Sequence, residues 1–89
     1  MQIIGYRQVS SNIEGTTYHG YRLFLIGEFS DKEKQNAIGK KTDVINWVKP
    51  PIFEDFVKRC EDMGKKIGEV QIEIFYDKYK KPSYISIVQ

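Results

Sequence analysis

Apolar and polar residues alternate with a period of two along most of the chain, the pattern of strands with one buried face. Gln2 to Val9 opens the series, and Ser10-Ser11-Asn12-Ile13-Glu14-Gly15 reads as a turn or loop. Tyr18 to Phe29 follows as a long β-prone run, with Gly20 and Gly27 as the expected bulge or bend positions. The polar tract Ser30 to Gly39 reads as an exposed loop, and a third strand over about Lys41 to Val48 is stopped by Pro50-Pro51. The period then changes to that of a helix. Ile52, Phe53, Phe56, Val57, Cys60 and Met63 recur at three and four residues and form one apolar stripe. Pro51 suits a first turn, Glu54 and Asp55 lie near the positive helix start, and Gly64 suits a left-handed stop. After Gly68, period two returns in Val70, Ile72, Ile74 and Tyr76, and again in Ile85 and Ile87. Asp77-Lys78-Tyr79-Lys80-Lys81-Pro82 connects these two segments as a hairpin.

Strand, strand, strand, helix, strand, strand is the element order of the OB-fold, a small, partly open Greek-key barrel. The expected architecture is mainly β: one domain over residues 1–89, a five-stranded OB-like barrel with one α-helix between strands 3 and 4. An SH3-like barrel fits less well, because only a short 3₁₀ turn would stand where this chain has a full helix. An α+β sheet with the helix across one face is the closer competitor.

Composition narrows the chemistry. Eighty-nine residues with 40% hydrophobic and 29% charged positions suit one folded domain and are too few for two cores. No apolar run approaches the roughly 20 residues of a membrane span, and the start lacks the layout of a secretory signal, so a cytoplasmic protein is expected. Cys60 and His19 are the only residues of their kinds, which leaves no disulfide and no Cys/His metal set. Glu54-Asp55 and Glu61-Asp62 are helix neighbours that point apart, and Gly64 and Gly68 flank Lys65-Lys66-Ile67 without the Lys-Ser/Thr of a phosphate loop. No enzyme, cofactor or metal is expected.

A net charge of +2 does not by itself indicate a nucleic-acid binder, so the distribution matters. The cations gather at Lys40-Lys41, Lys65-Lys66 and Lys78 with Lys80-Lys81. One Trp, six Tyr and five Phe supply flat rings, and tyrosine suits a surface as well as a core. An OB-fold presents its ligand face on strands 2 and 3 and on the loops joining strands 1–2 and 4–5. Those segments hold Tyr18, His19, Tyr21, Arg22 and Phe24 on strand 2, Lys40, Lys41 and Trp47 around strand 3, and Lys78, Tyr79, Lys80 and Lys81 in the last hairpin. Unpaired nucleic acid asks for this combination of cations along the phosphates and rings under the bases.

Ile3-Ile4-Gly5-Tyr6-Arg7, the run Gly20 to Leu25, and the closing stretch Val70 to Lys81 resemble small proteins of Gram-positive phages, plasmids and integrated elements. Those proteins are similar to OB-fold single-stranded DNA-binding proteins of the filamentous-phage type. The resemblance covers both ends of the chain and not 30–66. It implies that Tyr79 with Lys78, Lys80 and Lys81 forms a strand-contacting hairpin, and that the protein serves DNA replication of a phage or mobile element.

Each candidate also has a structural explanation. The hairpin lysines discourage edge pairing in any sheet. Arg22 marks the outer face of strand 2, which leaves Phe24 and Ile26 outside and Tyr21, Leu23 and Leu25 inside; the opposite register makes Tyr21 the stacking residue. Trp47 competes with Val44, Asn46 and Val48 for the buried face. His19 reads as a surface or satisfied polar residue, and Cys60 as a small hydrophobe. The expected function is non-catalytic binding of single-stranded DNA, with RNA less favoured, with weak sequence preference and as a homodimer. A small phage protein-interaction or regulatory factor is the alternative.

Overall fold

The computed structural model describes residues 1–88. Five strands and one α-helix follow in the expected order: β1 (Gln2–Ile13), β2 (Thr16–Glu28), β3 (Lys40–Val48), α1 (Pro50–Asp62), β4 (Gln71–Tyr76) and β5 (Pro82–Val88). Short 3₁₀ turns lie at Glu33–Gln35 and Ile67–Glu69. Strand makes up 53% and helix 22%, a mainly β architecture.

The strands form two antiparallel sheets, β1-β2-β3 and β4-β5, and not a closed barrel. The sheets meet where the Ile72 amide donates to the Met1 carbonyl at 2.7 Å, beside the start of β1. β5 is held by the helix and not by β3: Arg59 donates to the Ile85 carbonyl at 2.5 Å, and its guanidinium lies 4.6 Å from the Tyr84 ring centre. Asp55 holds the same arginine one turn back, at 3.0 Å.

The first hairpin is longer than its sequence suggests. Ser10 to Ile13 continues β1, and the turn is only Glu14-Gly15. Both turn residues have positive φ, 52° and 79°, as a type I′ turn requires to match the twist of the flanking strands. Backbone pairing from Val9↔Gly20 to Ile13↔Thr16 sustains a two-stranded ribbon here, since β3 stops pairing at Tyr21↔Val48. The loop expected over 10–15 is therefore mostly strand.

Pro50 and Pro51 occupy the first helical positions, where a missing N–H costs nothing. At the other end the Gly64 amide reaches the Glu61 carbonyl at 2.9 Å and the Lys65 amide reaches Cys60 at 3.0 Å, a Schellman stop with Gly64 at φ 69°. Phe53, Phe56 and Cys60 are the buried part of the apolar stripe, while Met63 lies at the capped end and is exposed. They pack between Ile3, Leu23, Leu25, Ile45 and Val48 of the first sheet and Ile72 and Ile85 of the second. Each side chain of this size, fully buried, contributes roughly 1.5–3 kcal/mol of transfer free energy.

Candidate nucleic-acid interface

Strand register decides which residues face the core and which face out. Leu23 and Leu25 are buried, so Arg22, Phe24 and Ile26 stand on the opposite, outer side of β2. Tyr21 faces inward, its ring 4.6 Å from Phe53 and 6.2 Å from Tyr6. Of the two stacking alternatives on β2, Phe24 is the one on the outer face. Tyr21 is instead half-buried packing at the rim of the core.

Two glycines lie beneath rings on that outer face, and only Gly20 is required by its ring. Phe24 stands opposite Gly5, and its Cδ2 lies 3.8 Å from where a Cβ on Gly5 would be. Trp47 lies over Gly20 so closely that a Cβ there would meet the indole at 2.6 Å. The expected bulge at Gly20 is absent from β2. The irregularity sits on β3, where Tyr21↔Val48 and Leu23↔Ile45 leave one extra residue between the β3 partners. That extra residue splits the alternation of Val44, Asn46 and Val48: Val48 turns into the core, while Val44 and half-buried Trp47 stay outside. A second irregularity lies between Ile3 and Gly5, leaving Ile4 exposed.

Arg22 has an unanticipated neighbour. Arg7 is its directly opposed partner on β1, and directly opposed residues present their side chains on one face. Neither arginine makes an ion pair among the described residues. The Nε of Arg22 is shut off from solvent without an acceptor. Leaving a buried donor unsatisfied costs about 1–3 kcal/mol, and more when the group is charged. The clue to Arg7 in the sequence is its position two residues past Gly5 in a period-two run, which shows only once β1 is paired with β2.

The remaining expected residues lie away from Arg22 and Trp47. Lys40 pairs with Glu28 across the far end of β2-β3, and Lys41 reaches Glu33 at 3.1 Å. Lys40 holds the Glu28 carboxyl below its ordinary range, while the Ser30 amide and Lys41 do the same for Glu33. These lysines are thus already matched with carboxylates. Lys78, Tyr79, Lys80 and Lys81 cap the β4-β5 hairpin, which forms a sheet separate from the one that carries Arg22, Phe24 and Trp47. Asp77 shapes that tip by accepting from the amides of Tyr79 and Lys81 at 2.8 and 3.0 Å, and Lys80 takes φ 62°. The Lys78 ammonium lies 5.1 Å from the centre of the exposed Tyr79 ring. No hydrogen bond or ion pair joins the tip to Arg22, Phe24 or Trp47 among the described residues. Register puts Arg22, Phe24 and Trp47 on one face, with Lys40, opposite Glu28, at the far end of that same face, whereas Tyr21 faces inward and the hairpin tip belongs to the other sheet.

The outer face also includes Tyr18 of the expected strand-2 set, with Ser11 and Ile13, which sequence reasoning passed over. Ile13, Tyr18 and Ser11 on the ribbon line a shallow hollow with Trp47. His19 is on the ribbon's other face, opposite Ser10. Among the described residues no cluster of His, Cys, Asp and Glu is placed to hold a metal, and no helix is long and apolar enough to cross a membrane. Comparison with protein-family models, with curated proteins and with solved structures finds no match for the chain.

Proposed function

We propose that this protein is a non-catalytic binder of single-stranded nucleic acid, DNA before RNA, encoded by a phage or mobile element. The observation that carries the reading is the outer face of β2 and β3, where Trp47 and Phe24 flank Arg22 and its partner Arg7. Rings supply stacking without sequence preference and guanidiniums meet the phosphates, the two requirements of an unpaired strand. This is the surface an OB-fold uses, and the two sheets are read as an opened OB-like arrangement in which β1 meets β4 and β3 stays apart from β5. The free edges of β1 and β3 among the described residues favour a homodimer, which would lengthen the binding track.

Titration of labelled oligothymidylate, read by anisotropy and by Trp47 quenching, tests the reading. Binding should weaken steeply with salt. Trp47→Ala and Phe24→Ala should each cost about 1–3 kcal/mol, or roughly 5- to 150-fold in affinity. An unquenched tryptophan and no anisotropy change at low salt would refute it. Exposed Ile13 and Tyr18 favour a second reading, a protein-interaction factor that uses the ribbon as its anchor. A pull-down from nuclease-treated lysate separates the two, since only a protein partner survives the nuclease.

A further inference from the structure

We propose that Arg7 and Arg22 form a two-guanidinium clamp for a single phosphate group, the phosphodiester of a strand lying across Trp47 and Phe24. The proposal rests on the nucleic-acid reading for the identity of its ligand but not for the existence of the anion site. Directly opposed like charges on adjacent strands destabilise a sheet, and here neither cation has a carboxylate partner among the described residues. Arg22 in addition carries an enclosed Nε–H with no acceptor. One anion held between the two guanidinium groups removes the repulsion. Opposed Cβ atoms stand about 4.5–5.5 Å apart, close enough for two long side chains to grip the same phosphate. Guanidinium suits this role because its planar fork meets two phosphate oxygens at once.

Position favours a phosphodiester over a free anion. Gly20, which carries Trp47 above it, and Phe24 lie two residues either side of Arg22, about 6.6 Å along the strand in each direction. A strand with bases on both rings has to carry its sugar-phosphate chain over the arginines.

Two measurements on the full chain test the clamp. In the first, the Arg22 Nε–Hε signal is followed by ¹⁵N NMR while inorganic phosphate replaces chloride at constant ionic strength. A saturable shift that disappears in Arg7→Gln supports the clamp, and a signal indifferent to phosphate overturns it. In the second, oligothymidylate affinity is measured against salt. Losing one neutralised phosphate lowers the log–log slope on single strands by about 0.7, so the double Arg7→Gln, Arg22→Gln variant should lose close to that amount and not twice it. A slope equal to wild type, or one that falls by about twice 0.7, in a double variant whose tryptophan emission shows an intact fold, overturns the clamp. Exposed Arg7 guards against misfolding of the Arg22 variant. If wild-type protein ignores oligothymidylate, the nucleic-acid reading falls, and the phosphate titration still decides whether the anion site exists.

Discussion

The indole of Trp47 occupies the space that a side chain on Gly20 would need, with Cε2 2.6 Å from the site of the missing Cβ. No rotation of a small group relieves such a contact, because the obstacle is a rigid ring. Gly20→Ala should therefore push Trp47 off the outer face, costing about 1–3 kcal/mol of stability as overpacking does. Red-shifted tryptophan emission and a lower urea midpoint check this. Gly5→Ala is the matched control: its Cβ would lie at an ordinary 3.8 Å from Phe24, so emission should be unchanged.

Phe56 is fully enclosed where the helix meets both sheets. Phe56→Ala should remove about 3–5 kcal/mol, a large part of the roughly 5–15 kcal/mol that holds a domain of this kind. Met63 stands on the same sequence stripe but at the exposed helix end, and Met63→Ala should stay within about 0.5 kcal/mol. Urea denaturation of the two variants side by side would show a large and a negligible shift of midpoint; equal shifts would refute the assignment of the core.

Burial pushes the Cys60 thiol up, further from the thiolate that reacts. A disulfide reagent at pH 8 should leave the native protein unmodified and label it at the rate of global unfolding, accelerating in urea. Prompt native-state labelling would place Cys60 at the surface.

Lys40 depresses the carboxyl of Glu28, and the Ser30 amide together with Lys41 that of Glu33, below the ordinary value of 4.5. A group whose pKa falls on folding stabilises the native state above its unfolded pKa, and that stabilisation is lost as the pH drops through the folded value. Thermal midpoints should accordingly hold steady above about pH 4.5 and decline below it. Glu28→Gln with Glu33→Gln should make the decline shallower. The effect is small and weakens with salt, because all four side chains are exposed to solvent.

Local chemistry made several features legible in the chain itself. Pro50-Pro51 and Gly64 bracket the helix, since each acts on its own backbone. The inward set Leu23 and Leu25 and the outward set Arg22 and Phe24 follow from alternation alone, with an arginine too costly to bury in an apolar sheet. Cys60 as a core residue follows from its place on the helical stripe. The two-residue turn at Glu14-Gly15 was not legible, because Ser10 to Ile13 carries no apolar period and is held as strand by backbone pairing with β2.

What the sequence by itself determined is the inventory and order of elements and the face each regular segment buries, because propensity and periodicity act over a few neighbouring residues. What only the tertiary structure decided is how those faces combine. The extra residue on β3 sends Trp47 outward and Val48 inward; the pairing of β1 with β2 sets Arg7 against Arg22; and β5 joins the helix through Arg59, leaving two sheets instead of a closed barrel. Each depends on contacts between residues far apart in the chain, whose register is set by packing and backbone hydrogen bonding across strands and not by any local pattern.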